Sequence, residues 1–290
     1  MAIIRSLRRS SLARKILAVP LGIRRTWINS KYESARLVLD RLEKLGSSTV
    51  QLRVESYEGE FGFGPRSALL RRILETGTYE PDLAKLFKSH VNPDRDVIDV
   101  GANVGLFTIL AAKNLAGGRI LAAEPTEAAF SLLTANVALN QVRRGVILYN
   151  GLVADTDGIG SLNVVTGQEE YSSMAQVIHP SAVGQPTQTK TIQTRTLDSL
   201  VTEHKLRPAL IKIDVEGAEG MVFRGAEKTL RKHRPIVISE FSRPLLEKNG
   251  SSPEEILSLF ERCDYHVFNP FIPSAKVGEI DFDDIIAVPR

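Results

Sequence analysis

From residue 96 onward, the chain alternates between short apolar runs rich in β-branched residues and longer stretches with helical hydrophobic spacing. This alternation is typical of βαβ units, in which parallel strands form a sheet covered by helices. The predicted strands are Val97–Val100, Arg119–Ala123, Val146–Tyr149, Leu210–Ile213, Ile236–Phe241, His266–Asn269 and Ile285–Val288. The predicted helices are Leu106–Leu115, Glu127–Leu139, Ala218–Arg231 and Pro253–Cys263. The pattern therefore predicts an α/β domain with a parallel sheet.

The segment before this domain has a different pattern. Apolar residues recur at helical spacing over residues 30–45, and Val50–Val54 alternates like a short strand. We predict that Gly59–Pro65 is a glycine-rich turn, followed by a second helical run through Leu69 and Leu74. Residues 1–65 are accordingly predicted as an N-terminal extension, helical and then a short strand, and residues 66–290 as the main domain.

An insertion at residues 158–196 interrupts the α/β alternation with a sequence rich in Gly, Thr, Gln and Ser. Its alternating pieces, Ser161–Val165 and Thr189–Thr196, predict a hairpin over one end of the sheet. A loop in that place would form one wall of a substrate pocket.

Charge is distributed unevenly along the chain. The formal net charge is +3, but the basic excess lies before Glu33, and the remainder is close to neutral or acidic. This local excess gives little support for a nucleic-acid substrate, which needs basic residues around the cleft. The single cysteine, Cys263, excludes an internal disulfide and a zinc-binding cysteine cluster, as expected for a reducing cytoplasm.

The basic N-terminus superficially resembles a signal peptide because the apolar run Ile16–Ile23 follows it. That run is short, contains Pro20, and precedes Arg24 and Arg25 without a small-residue cleavage pattern. The chain also lacks the run of about 20 apolar residues that a membrane span requires. Two alternatives remain for residues 1–31: a basic element that contacts an anionic membrane or a partner, or a solvated helical lead-in.

A glycine-rich turn follows the first strand of the main domain. In open α/β sheets, such turns let the backbone approach a ligand at the carboxyl ends of the strands. The spacing differs from the G-x-G-x-x-G of dinucleotide sites, and the carboxylate of Asp99 would repel a diphosphate. The amino and sulfonium groups of S-adenosylmethionine tolerate that charge. The alternative to a cofactor-binding role is a tight turn with a purely structural role. The residues predicted to bind this cofactor are Asp99, Gly101, Ala102, Asn103 and Gly105.

Two further acidic residues follow the next strands. Glu124, in the pair Glu124–Pro125, is predicted to accept hydrogen bonds from the ribose hydroxyls, as in other nucleoside-binding sheets. Asp155 is predicted to accept a hydrogen bond from the adenine amino group, although its segment also suits an ordinary turn.

The strand before Asp214 ends in several carboxylates around a glycine. Asp214 or Glu216 could remove a proton from a substrate hydroxyl, bind the cofactor's ammonium, or hold a divalent ion, although no pattern specifies a metal. Glu240, at the end of the next strand, would face the same edge as a second base or a metal ligand. For Glu219, the alternatives are chemistry and a favourable charge at a helix N-terminus.

These segments together resemble the FkbM-type methyltransferase family. Its members carry a D-V-G-A-N-x-G turn, an E-P pair, a K-I-D-V-E-G-A-E segment, and R-G-A and R-P motifs. The corresponding residues here are Asp99–Gly105, Glu124–Pro125, Lys212–Glu219, Arg224–Ala226 and Arg234–Pro235. The resemblance spans about residues 77–241, and Gly77–Glu80 looks like the family's lead-in that closes over the cofactor, which adds Tyr79 and Glu80 to the cofactor site. One departure is Ala123, where the family often has an aromatic residue.

The resemblance implies a class I (Rossmann-like) methyltransferase fold, with a mostly parallel seven-stranded sheet and helices on both faces. It also implies O-methylation of a sugar or natural-product hydroxyl, with a small molecule or glycan as the acceptor. The charge distribution predicts no nucleic-acid partner. Enzymes that methylate adenine or glutamine amines resemble a D/N-P-P-Y/F pattern, where this chain has Asp214–Gly217. The alternatives are such an N-methyltransferase and a non-catalytic binding protein that retains the cofactor fold.

Overall fold

The computed structural model describes residues 37, 39–41, 49–165, 187–278 and 282–290. Of the predicted helix over residues 30–45, only Leu37 and residues 39–41 are described, and they are helical. The basic segment, residues 1–31, lies outside the described residues. No helix in the described part of the chain is long and apolar enough to cross a membrane.

The described strands and helices alternate along the main domain much as predicted. The strands are β1 Val50–Val54, β2 Gly59–Phe63, β3 Asp96–Val100, β4 Ile120–Ala123, β5 Val146–Tyr149, β6 Leu152–Val153, β7 Gly158–Val165, β8 Thr187–Arg195, β9 Pro208–Ile213, β10 Ile236–Ser242, β11 Tyr265–Phe268 and β12 Phe282–Pro289. The α-helices are α1 Ala68–Thr76, α2 Pro81–Ser89, α3 Leu106–Asn114, α4 Glu127–Leu139, α5 Leu197–Glu203, α6 Glu219–Arg224, α7 Glu227–His233, α8 Arg243–Lys248 and α9 Pro253–Arg262. Short 3-10 turns cover Glu55–Tyr57 and Arg143–Gly145.

A seven-stranded sheet with the order β11-β12-β10-β9-β3-β4-β5 forms the centre of the domain. Strands β10, β9, β3, β4 and β5 pair in parallel, and β12 runs antiparallel to both β10 and β11. This arrangement confirms the predicted class I fold. Chain order reverses at β3, which lies between β4 and β9, and ligands of open α/β sheets bind beside such a switch point.

The central strands are buried on both faces, which explains their near-continuous hydrophobic sequences. Ile98 and Val100 pack with α5, α6 and α9 on one face. Val97 packs with α1, α2, α3 and the β1–β2 hairpin on the other. Asp99 is two positions after Val97 on the same strand and therefore also lies on the hairpin side.

The segment Gly59–Pro65 corrects one prediction, because residues 59–63 form strand β2 and not a turn. Val50 pairs with Phe63 and Val54 pairs with Gly59, which gives an antiparallel hairpin. Phe61 and Phe63 are fully buried in the core that the hairpin shares with β3 and α3. The glycines had suggested a turn, but a Cβ at Gly62 would lie 2.9 Å from Thr49 Cγ2 and 3.3 Å from Asn136 Oδ1. The absence of a side chain therefore reflects close packing along a strand.

Asn136 of α4 and Asn140, the residue after this helix, make the hydrogen bonds of a neighbouring strand along the free edge of β2. Asn136 Oδ1 accepts from the Gly62 amide at 2.7 Å, and its Nδ2 donates to the Gly62 and Val104 carbonyls at 3.0 and 2.9 Å. Asn140 Oδ1 likewise accepts from the Glu60 amide at 3.0 Å, and its Nδ2 donates to the Glu60 carbonyl at 2.6 Å. The exposed edge of the hairpin is thus satisfied by side chains one helical turn apart.

The predicted helix over residues 218–231 is also corrected, because it divides into α6 and α7. Gly225 ends α6, and its carbonyl accepts from the Asp198 amide at 2.9 Å. The Asp198 carboxylate then accepts from the Lys228 and Thr229 amides at 3.1 and 2.7 Å. A neighbouring element therefore supplies the N-terminal hydrogen bonds of α7, which lets the second helix start separately.

The predicted hairpin over residues 158–196 is confirmed for its described residues. Strands β7 and β8 pair antiparallel, and β8 also pairs with β6 to form a three-stranded sheet. The chain between them, residues 166–186, lies outside the described residues.

Replacing Asn136 with Ala should destabilise the fold more than replacing Asn140. Asn136 is 1% exposed, so N136A leaves the amide and carbonyl of Gly62 buried without partners. We expect N136A to lower the free energy of unfolding by about 2–4 kcal/mol, and N140A, at a partly exposed site, by about 1 kcal/mol or less. Urea unfolding followed by circular dichroism measures both values. Equal losses would contradict the importance of the buried edge bonds.

Candidate active site

The predicted cofactor turn brings the ends of strands β3 and β9 together. Gly101 and Gly105 both have left-handed backbones, with φ of 80° and 94°. A Cβ at Gly101 would lie 1.8 Å from the Asp214 carbonyl oxygen, and one at Gly105 would lie 2.6 Å from Leu133 Cδ1. The amides of Gly101 and Ala102 both donate to the Ala123 carbonyl at 3.0 Å. Both glycines are therefore required by the protein's own packing.

Glu124 closes the other side of this turn. Its Oε2 accepts from the Asn103 amide at 3.0 Å, and its Oε1 accepts from the Thr126 amide and hydroxyl at 2.9 and 2.6 Å. The side chain is buried, and burial raises the pKa of Glu124, although the hydrogen bonds from Thr126 and Asn103 oppose this shift. Pro125 follows directly, so both members of the predicted Glu–Pro pair border the turn. The ribose contact of Glu124 stays a prediction.

Asp99 makes internal contacts below the turn. It is 1% exposed, and its Oδ2 accepts from the Thr108 hydroxyl of α3 at 2.6 Å. Among the described residues, no hydrogen-bond donor reaches its Oδ1. Burial raises the pKa of Asp99, while Lys212, its partner in the β3–β9 register, opposes the shift. A direct cofactor contact of Asp99 stays a prediction.

Carboxylates converge on the hairpin-side face at the carboxyl ends of β9 and β10. Asp214 and Glu240 follow Ile213 and Ser239, which form the last residue pair between β9 and β10. Glu240 also pairs with Asp284 of β12 across the sheet. The alternation of side chains places all three carboxylates on one face. Asp284 was not predicted from the sequence, where it directly precedes the apolar run Ile285–Val288.

Glu80, which directly precedes α2, interacts electrostatically with this group. Burial and the charges of Asp214 and Asp284 raise the pKa of Glu80 to about 7. Burial and the charges of Glu80, Asp214, Asp284 and Glu216 raise the pKa of Glu240 well above its usual value. A carboxyl with a pKa of about 7, as for Glu80, exchanges its proton near neutral pH, which is a property of functional sites.

Lys212 is the buried cation of this region. It is 3% exposed, and its Nζ lies 3.1 Å from Asp214 Oδ2 and 4.7 Å from the centre of the Phe107 ring. Burial opposes its charge, but Asp214, Asp99 and Glu80 together raise the pKa of Lys212. In the sequence, Lys212 was noted only as the first residue of the segment Lys212–Glu219. The available signal was a charged residue inside an apolar strand, since buried charges are rare unless paired.

The loop that carries Asp214 and Glu216 is held in shape by Glu219. The Oε1 of Glu219 accepts from the Val215 and Gly217 amides at 3.1 and 3.2 Å. Burial raises the pKa of Glu219 to about 7, although these backbone hydrogen bonds oppose the shift. Glu219 is the first residue of α6, as the helix-terminus alternative expects, and its side chain also supports the preceding loop. Glu216 has a left-handed backbone with φ of 52° and is partly exposed.

The remaining predicted residues lie around this centre. Tyr79 packs against the hairpin-side core, and Glu80 together with burial raises the pKa of Tyr79 well above its usual value. Asp155 forms an ion pair with Arg224 Nε at 3.2 Å, and the same guanidinium donates to Glu255 at 2.8 Å. An adenine contact would therefore have to share Asp155 with Arg224.

No group of three or more His, Cys, Asp or Glu side chains in the described ranges is arranged to hold a metal ion.

Comparison with known protein families identifies the family of this chain. The methyltransferase FkbM domain matches residues 99–267, from the start of the glycine turn to strand β11. The chain belongs to this family. The FkbM domain thus contains the turn, the Glu–Pro pair, the Asp214 loop and Glu240, while Tyr79, Glu80 and Asp284 lie outside the matched residues.

Individual relatives are distant. The chain is similar to "Methyltransferase 1" of Beauveria bassiana (strain ARSEF 2860), with 29% identity over 162 residues that cover 46% of this chain and 59% of the relative. The chain therefore matches less than two thirds of that protein. A solved O-methyltransferase from Bacillus cereus, in complex with SAH, has 16% identity and a TM-score of 0.46, covering 91% of this chain and 100% of that one. Methyltransferase FkbM from Methylobacillus flagellatus KT has 16% identity and a TM-score of 0.43, covering 76% of this chain and 52% of that one.

Alanine at Gly101 should disrupt the FkbM domain far more than alanine at Gly250. The two glycines have similar left-handed backbones, with φ of 80° and 73°, but a Cβ at Gly250 meets no atom within 4 Å. The backbone change costs about 1 kcal/mol at either position, and we expect the overlap with Asp214 to bring the G101A loss above about 3 kcal/mol. Denaturant unfolding measures both. Similar losses would show that close packing at Gly101 contributes little.

The pH dependence of stability should reveal the buried carboxyl of Glu219. Because folding raises its pKa from 4.5 to about 7, the neutral form favours the folded state. Its stabilising contribution is complete below pH 4.5 and is lost as the pH rises through about 7. Relative to E219Q, which stays neutral, wild-type stability should fall by on the order of 3 kcal/mol across this window. Urea titrations between pH 4.5 and 8 measure this difference; a constant difference would contradict it.

Proposed function

We propose that this chain is an S-adenosylmethionine-dependent methyltransferase that O-methylates a hydroxyl group of a sugar or natural-product acceptor. Membership of the FkbM family supports the reaction class. The observation that carries the proposal is the meeting of carboxylates from β9, β10 and β12 beside the glycine turn at the switch point.

The residues around the turn fit this cofactor better than a dinucleotide. Glu124 borders one side of the turn and Asp214 the other. Negative charge at both places would repel a diphosphate but attract the ammonium and sulfonium groups of S-adenosylmethionine. We assign Glu124 to the ribose hydroxyls and Asp214 to the methionine ammonium, with the backbone of residues 101–105 against the nucleoside.

The cofactor would supply a methyl group on a positively charged sulfur, which is already a good leaving group. The protein then has to orient the acceptor oxygen and accept its proton. Asp214, Glu216 and Glu240 were all candidates for this base. Asp214 is already engaged by Lys212 at 3.1 Å, whereas the raised pKa of Glu240 makes its ionised form a stronger base than an ordinary carboxylate. We therefore assign proton removal to Glu240 and orientation of the acceptor to Glu216.

The acceptor itself is proposed from the family resemblance. The β7–β8 hairpin extends the site region with a polar, threonine-rich surface, which suits a small hydroxylated molecule or a glycan. Contact of residues 1–31 with an anionic membrane or a partner is a separate proposal, and vesicle co-sedimentation of full-length and residue-31-truncated chains tests it.

Cofactor binding is the first test. We expect isothermal titration calorimetry to show binding of S-adenosylmethionine and S-adenosylhomocysteine and none of NAD. Absence of S-adenosylmethionine binding would overturn the proposed function. Mass spectrometry of a panel of sugar and natural-product acceptors then detects methyl transfer, and methylation of an amine in place of a hydroxyl would contradict O-methylation.

Replacing Glu240 with Gln should separate catalysis from binding. Loss of the base should lower turnover by about 10²–10⁴-fold with the best acceptor of the panel, while the cofactor Kd stays within a few-fold. The matched control is E261Q, which changes an exposed glutamate of α9. A loss of turnover below about tenfold in E240Q would move the role of base to Glu216 or Asp214.

A further inference from the structure

We propose that Lys212 is a positioning residue whose ammonium fixes the carboxylate of Asp214 at the cofactor end of the site. This inference rests on the proposed function, because Asp214 is assigned there to the methionine ammonium. It adds a role for a residue that makes no direct contact with ligand in the proposed function.

Lys212 is more deeply buried than Asp214, as expected if the lysine holds the aspartate in place from below the site. The side chain of Lys212 is 4% exposed, and that of Asp214 is 37% exposed. The lysine therefore lies below the site and the aspartate at its surface, with Nζ and Oδ2 3.1 Å apart. Both side chains are on the hairpin-side face because the residues are two positions apart on an extended strand.

The surroundings of Lys212 restrict where its ammonium can be. Nζ lies 4.7 Å from the centre of the Phe107 ring. Phe107 makes edge-to-face contacts with Tyr57 and Phe87, each with ring centres 5.1 Å apart. An ammonium that is desolvated and held against an aromatic face pairs with a carboxylate more strongly and in fewer geometries than an exposed lysine does.

Lys212 also has a structural role, which the experiment must separate from its proposed positioning of Asp214. It is the register partner of Asp99, and a buried carboxylate without a nearby cation is strongly destabilising. Removing the lysine would therefore destabilise the fold whether or not it positions Asp214. Replacing Asp99 with Asn removes this complication, because the buried charge is then absent.

S-adenosylhomocysteine is the suitable probe for the test. It carries the same methionine ammonium as S-adenosylmethionine but no sulfonium charge, so deletion of a nearby lysine charge does not by itself strengthen its binding through the sulfur. Calorimetry gives its Kd, and thermal unfolding reports the stability of each variant.

We expect K212M to weaken S-adenosylhomocysteine binding about tenfold, both alone and in the D99N background. The double variant D99N/K212M should be more stable than K212M. In the D214N background, K212M should change the Kd by less than about twofold, because the carboxylate that Lys212 positions is already absent. K228M, at an exposed lysine of α7, is the matched control. If K212M does not fold alone, D99N and D99N/K212M provide the same comparison.

Three results would overturn the inference. The first is an unchanged Kd in K212M, which means that Lys212 has no influence on the site. The second is a loss of affinity that D99N restores, which means that Lys212 only neutralises Asp99. The third is an equal loss in the D214N background, which means that Lys212 does not act through Asp214. Failure of the wild-type chain to bind S-adenosylhomocysteine is distinguishable from these results, because it contradicts the proposed function itself.

Discussion

The close contact between Gly101 and the carbonyl of Asp214 joins the two halves of the site. The turn after β3 and the loop after β9 approach so closely that a Cβ at Gly101 would lie 1.8 Å from that oxygen. This contact lies at the point where chain order reverses, so it brings the turn and the carboxylate loop to one edge of the sheet. The absence of one side chain therefore permits the geometry on which the proposed cofactor site depends.

Electrostatics around this contact oppose stability. Glu80, Glu240 and Glu219 all have pKa values raised mainly by burial, and Glu80 and Glu240 also repel one another. A fold selected for stability alone would not gather several carboxylates at one edge of the sheet. Their retention is understandable if a ligand that carries positive charge occupies the site, as the proposed cofactor does. Lys212 offsets part of the repulsion from below, through its ion pair with Asp214.

The N-terminal hairpin contributes to the same region. Phe61 and Phe63 complete the core beside β3 and α3, and Asn136 connects the hairpin to the carbonyl of Val104 within the glycine turn. Residues 50–63 thus share a core with the sheet, although the predicted boundary near residue 65 stays a prediction. Periodicity could not reveal this, because the hydrogen bonds of Asn136 join residues 74 and 32 positions apart.

Local patterns in the sequence determined the strands of the main sheet, the glycine turn, the Glu–Pro pair and the carboxylates at Asp214 and Glu240. These features are encoded by neighbouring residues: a buried strand requires an apolar run, and a left-handed turn requires glycine. The tertiary structure decided which of these residues act together. Register placed Asp284 opposite Glu240 and Lys212 beside Asp99, packing turned Glu219 into a support for its loop, and Asp198 divided one predicted helix into two. Such pairings depend on contacts between residues far apart in the chain, and no local pattern specifies them.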